Sequence, residues 1–154
     1  MLRAVLLSLV LATPALAEMP EAREGWAIHP TDKAYAEVID AVKAAAKANQ
    51  LGVVTQAGPT GAAANRGITI PGNRVIGLFN NVYAVRILGL STPAMIEAPI
   101  RVYVTENPDG TATLSYKTPS HVFAPYFDEG GADLVAAAGE LDAIFAKVAE
   151  MAAE

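Results

Sequence analysis

The sequence predicts an α+β fold: a two-layer sandwich in which two main helices pack on one face of a mixed or antiparallel sheet. Three observations predict it. Asp32 to Asn49 and Ala132 to Met151 both repeat apolar residues at spacings of three and four, the mark of a helix with one buried stripe. Ile100 to Tyr116 alternates in polarity about an Asn107-Pro108-Asp109-Gly110 turn, which reads as a β-hairpin. Further strand-like runs lie before the first helix and between the two, so the helices have a sheet to cover.

The chain opens with a positively charged Met1-Leu2-Arg3. An apolar run from Ala4 to Ala12 follows, broken only by Ser8, and then a helix-breaking Thr13-Pro14. Ala15-Leu16-Ala17 presents small residues at both positions a signal peptidase reads, so 1–17 is expected to be a secretory signal peptide cleaved after Ala17. The apolar run is far shorter than the roughly 20 residues that span a bilayer. The expected product is therefore soluble and exported, periplasmic or secreted, with no membrane span. Residues 18–25 are charged, carry Pro20 and read as a flexible mature N-terminus. The remainder, 26–154, fits a single domain.

Trp26-Ala27-Ile28 begins a strand that His29-Pro30 is expected to end. Thr31 then N-caps the helix Asp32 to Asn49, whose stripe is Tyr35, Val38, Ile39, Val42, Ala45 and Ala46. Leu51 to Thr55 reads as a strand, and Gly58-Pro59-Thr60-Gly61 as a turn into a short helix ending at Gly67, with Thr60 as its cap. Arg74 to Phe79 is a continuous apolar run, the pattern of a central strand buried on both faces. Gly77 inside it implies that something packs close to the backbone. Val82 to Leu88 suits a short helix, stopped by Ser91-Thr92-Pro93. After the hairpin, Lys117 to Asp128 reads as an irregular loop rich in aromatic residues. The last helix buries Leu134, Ala138, Leu141, Phe145, Val148 and Met151 on one stripe.

Composition narrows the chemistry. The chain has no cysteine, which removes disulfides, thiol nucleophiles and thiolate metal sites although an exported protein could use disulfides. Eleven basic residues against 16 acidic ones give a net charge of −5, and no run of Lys or Arg offsets it along the sequence. Nucleic acid is accordingly not expected as a partner. No glycine-rich phosphate loop and no Gly-x-Ser-x-Gly nucleophile elbow occurs. His29 and His121 are the two histidines, far apart and without ligand spacing, so neither a metal nor another cofactor is expected.

From Arg74 onward the residues resemble the bacterial family catalogued as domain of unknown function 302. The resemblance is carried by Arg74-Val-Ile-Gly-Leu-Phe-Asn80, by Pro93-Ala-Met-Ile-Glu-Ala-Pro-Ile-Arg-Val-Tyr-Val104 and by Pro108-Asp-Gly-Thr-Ala-Thr-Leu-Ser-Tyr116. The preceding helix and strand fit its order too, so it extends over about Ala27 to Met151. Where the family often has Gly-Asn-Pro, this chain has Phe79-Asn80-Asn81, which removes the rigidity of proline. The resemblance implies a compact α+β fold, with a homodimer as the candidate assembly and no assigned activity.

The residue types that suit a binding site converge on two segments. Asn80 and Asn81 supply amides that both donate and accept, while Tyr116, His121 and Tyr126 bring aromatic faces and an imidazole. Such a site would hold a small, partly apolar ligand. The expected function is thus a non-enzymatic binding or accessory module recognising a small molecule or a protein. The alternative is an enzyme of unknown reaction using His121 as acid or base.

Overall fold

The computed structural model describes residues 20–154, so the leader expected over 1–17 and its cleavage site lie outside the described residues. Five strands form one sheet. In spatial order they are β1 (Trp26–Ala34), β5 (Thr111–Lys117), β4 (Ile100–Glu106), β3 (Asn73–Phe79) and β2 (Gly52–Ala57). All four pairings are antiparallel, so of the two sheet types expected the sheet is the antiparallel one. Helix α1 (Tyr35–Ala48) leads from one edge strand to the other. Helix α5 (Phe127–Ala153) lies against α1, and both cover the same sheet face.

The core sits between these layers. Val38, Val42 and Ala46 of α1 and Leu134, Leu141, Phe145 and Val148 of α5 meet Ile76, Leu78, Val102, Val104 and Leu114 from the strands. Each fully buried large side chain here contributes about 1.5–3 kcal/mol by transfer from water. The opposite sheet face has no covering layer of helices. Helices α2 (Thr60–Ala64) and α3 (Asn81–Leu90) flank β3 in sequence, and α4 (Pro119–Phe123) follows β5. Among the described residues, no helix is long and apolar enough to cross a membrane.

Five expectations change. The first strand runs through His29-Pro30 to Ala34, because Thr31 is buried and its hydroxyl donates to the Ala112 carbonyl at 2.8 Å across the strand pair. Thr31 therefore does not cap α1. The helix starts at Tyr35, and the Glu37 carboxylate accepts from the Ala34 amide at 2.9 Å. Residues 119–126 are helical instead of irregular, since Pro119 occupies the first turn of α4 and Thr118 caps it by accepting from the His121 amide. Next, β3 is central but not buried throughout on both faces: Ile76 and Leu78 are buried on the helix side, while on the other Gly77 is buried and Val75 and Phe79 are half-buried. Helix α5 begins at Phe127, yet Gly131 (φ +60°, ψ −155°) interrupts it just before Ala132, where the main helix was expected. Thr60 does not cap α2, whose N-cap is Pro59; its hydroxyl instead donates to the Pro71 carbonyl and accepts from the Asn73 amide, fastening the ends of the α2 excursion together.

Candidate groove on the open sheet face

In a strand every second side chain points to the same face, and the register decides which of them become neighbours. On the open face one row across the sheet reads Ala57, Val75, Tyr103, Ser115, Ile28. The adjacent row reads Gly77, Arg101, Lys117, Trp26, because the Tyr103–Ser115 and Val102–Tyr116 pairings carry on to set Arg101 beside Lys117. Gly77 keeps that part of the face flat. A β-carbon there would lie 2.7 Å from Pro99 Cγ and collide with the Thr55 hydroxyl, which is the close packing its place in the strand implied.

Most of both rows line a groove of about 490 Å³, completed by Gly58-Pro59 at the end of β2 and by Glu97 and Val122 beyond the sheet. Its floor is apolar, with a few polar groups at defined places. Ser115 is fully buried between Tyr103 and Ile28 in its row, and its Oγ has no protein partner. Burial, and to a smaller extent the neighbouring Tyr35, holds the Tyr103 phenol above the ordinary tyrosine value, so it stays a neutral hydroxyl at physiological pH. Glu97 accepts a hydrogen bond from the Tyr126 hydroxyl at 2.9 Å, which raises the pKa of Tyr126. Trp26 has the Lys117 ammonium 6.0 Å from its ring centroid and the Arg23 guanidinium at 5.3 Å.

The residues singled out in the sequence are dispersed. Asn80 N-caps α3: its Oδ1 accepts from the amides of Val82 at 2.9 Å and Tyr83 at 3.3 Å, while its Nδ2 donates to the Gln50 carbonyl at 3.0 Å. Asn81 is the exposed first residue of that helix. Tyr116 belongs to the groove lining, but its ring is stacked 6.0 Å from His29 and tilted against Phe145 at 5.7 Å, which places it in the core. His121 is exposed on α4, its ring over Gly25 (φ +71°), where no β-carbon would fit. Tyr126 stands on the turn after α4 and orients Glu97.

The Asn80 strand end and the segment after β5 do meet, through Phe123, around a small void of about 30 Å³ that neither His121 nor Tyr126 lines. Asn80 also borders a depression of about 530 Å³ with Gln50, Tyr83 and Lys147. Asn80 and Tyr83 are already engaged there, since Asn80 uses both ends of its amide and Tyr83 donates to Glu140 at 2.9 Å. The groove on the open face differs in its mainly apolar floor and in holding a buried hydroxyl, that of Ser115, without a partner.

With its cap role, Asn80→Ala should cost about 0.5–2 kcal/mol of stability. A urea titration reads it as a lower midpoint, and an unchanged midpoint would show that the cap contributes nothing. Among the described residues, no cluster of three or more His, Cys, Asp or Glu side chains could hold a metal ion.

Sequence reasoning missed Arg101, Lys117, Trp26 and Tyr103. No linear run of basic residues marked them, and the strand register alone brings them side by side. The alternation of Arg101, Tyr103 and Thr105 opposite Ile100, Val102 and Val104 was the available signal, for it puts them on the face away from the core.

No curated protein matches the chain. The crystal structure of the uncharacterized conserved protein DUF302 from Bacillus stearothermophilus is similar in fold. Its TM-score is 0.74 at 16% identity, over 84% of this chain and 98% of that one. The family model described as domain of unknown function DUF302 matches residues 28–151. The strand, turn and hairpin segments quoted from the sequence all lie within that match, and the chain belongs to the domain of unknown function DUF302 family.

Proposed function

We propose that the protein is an exported, non-catalytic binding module that holds a small, partly apolar molecule in the groove on the open sheet face. The groove carries the reading. At about 490 Å³ it falls among small-molecule sites, which are concave, mainly apolar and fitted with a few placed polar groups. A buried hydroxyl without a partner costs about 1–3 kcal/mol, and a ligand that meets Ser115 would remove that cost. His121, the acid or base of the enzymatic alternative, is not part of the lining. Export is supported by the charged start, the short apolar run and the Ala15-Leu16-Ala17 end.

Native mass spectrometry of protein taken from its own host tests these points together. The expected spectrum has the mass of Glu18–Glu154 with a second species heavier by a small molecule, and Val75→Trp, which fills the groove, loses that species. A chain retaining Met1 would overturn export. An adduct that survives Val75→Trp would move the ligand out of the groove. The homodimer implied by the family resemblance would be read in the same spectra as a doubled mass.

A further inference from the structure

Arg101 and Lys117 are directly opposite one another on neighbouring strands, both exposed, both on the groove side. Like charges directly opposite one another across a strand pair are destabilising. An acidic protein has carboxylates to spare for neutralising them, yet neither cation is in an ion pair among the described residues, where the pairs formed are Lys43–Asp40 and Arg86–Glu140. The one carboxylate in the lining, Glu97, is oriented by Tyr126. Two cations and one carboxylate leave the groove with a single net positive charge, inside a protein whose overall charge is negative. Beside the cations the floor turns apolar, through Val75, the Tyr103 ring and the Trp26 indole, with the unpartnered Ser115 hydroxyl beneath.

From this placement, and resting on the binding reading above, we propose that the ligand is an amphiphilic monoanion. Its acidic head lies between Arg101 and Lys117, and its apolar body runs along Val75, Tyr103 and Trp26. Guanidinium and ammonium donors form charge-assisted hydrogen bonds with a carboxylate or sulfonate, and such bonds are roughly twice as strong as neutral ones. The anion also relieves the repulsion between the two side chains. A fully apolar ligand would leave both cations beside it without a counter-charge, and a small inorganic anion would leave the apolar floor in water. One molecule with both properties satisfies the whole lining.

The test uses two dyes that share an apolar body, 8-anilinonaphthalene-1-sulfonate and the neutral N-phenyl-1-naphthylamine, titrated into the mature protein. Fluorescence gives the affinity, and amide chemical shifts of Tyr103 and Ser115 give the place. The sulfonate should bind at one site, tighter than the neutral dye, and weaken as salt is raised. The double variant Arg101→Gln, Lys117→Gln should weaken the sulfonate about tenfold or more and leave the neutral dye unchanged. Its Tm should equal or exceed that of the wild type, which separates lost binding from lost folding.

If both dyes bind in the groove with equal affinity and the double variant changes neither, the anion assignment is wrong while the groove remains a ligand site. If neither dye moves the groove amides, the binding reading falls with it. If the groove amides instead shift with protein concentration alone, and Val75→Arg turns a dimer into a monomer, the face is an interface between copies and the proposal is overturned.

Discussion

Phe145→Ala should lower the free energy of unfolding by about 3–5 kcal/mol, the largest effect expected of any single substitution discussed for this protein. Phe145 is 1% exposed in the middle of α5, and its ring meets Tyr116 on the sheet at 5.7 Å. Removing the ring takes away its transfer energy and leaves a cavity between the two layers. The neighbours can close that cavity poorly. Tyr116 is held from its other side by the His29 stack, and Phe123, Leu141 and Phe145 already share a void of about 30 Å³ that the deletion would enlarge. Equilibrium urea unfolding should show a much lower midpoint with the slope unchanged. A loss below about 1 kcal/mol would mean that α5 is not docked as described.

Alkaline pH should weaken the fold through Tyr116. Burial, followed by the charges of Asp142 and Glu150, pushes its phenol up to about 12, against about 10 for tyrosine in an unfolded chain. Between those values the unfolded chain has released the proton and the folded chain retains it, so stability falls as pH rises. Below about pH 10 both states are protonated and the contribution is constant. Two pH units at about 1.4 kcal/mol each give a loss of about 2–3 kcal/mol by pH 12. The phenol of Tyr103 is also raised by burial and steepens the same limb. Unfolding curves taken from pH 9 to 12 should fall less steeply for Tyr116→Phe than for the wild type. Equal slopes would show that Tyr116 ionises as freely in the folded protein as in the unfolded one.

What the sequence disclosed, and what it withheld, divides by the range of the forces involved. The hairpin was legible because the Asn107-Pro108-Asp109-Gly110 turn and the alternation of Ile100, Val102 and Val104 are local, and β4 and β5 fall where they point. The two helical stripes were legible for the same reason, except that Met151, expected on the buried stripe, is exposed near the end of α5, and the tight packing at Gly77 was legible too. Thr31 misled because its hydroxyl suits a helix cap, whereas the fold gives it the Ala112 carbonyl, a partner far along the chain. Lys117 to Asp128 read as an irregular loop, but proline in a first turn is compatible with a helix, and Thr118 starts one at Pro119.

The groove could not be read at all in this way. Asn80 attracted attention by its type, and its amide is consumed by a cap and by Gln50. The pairing of Arg101 with Lys117 depends on register, and register is fixed by a core that forms on the opposite face of the same strands. A sequence scanned along its length finds no basic cluster because the cluster exists across strands.

The strand order has a consequence for when the fold can be completed. β1 is at an edge, with β5 as its one neighbour, so Trp26 waits for Lys117 and Thr31 for Ala112. Helix α1, which comes next, likewise finds much of its cover in α5 at the far end of the chain. Contacts that distant carry a high loop-closure cost before they return any energy, and they slow folding. On a chain delivered from its N-terminus, the first strand to emerge is unusable until the last strand arrives. The chain is thereby kept from folding early on its own opening segment, and the sheet is completed late, when its first strand pairs with its last.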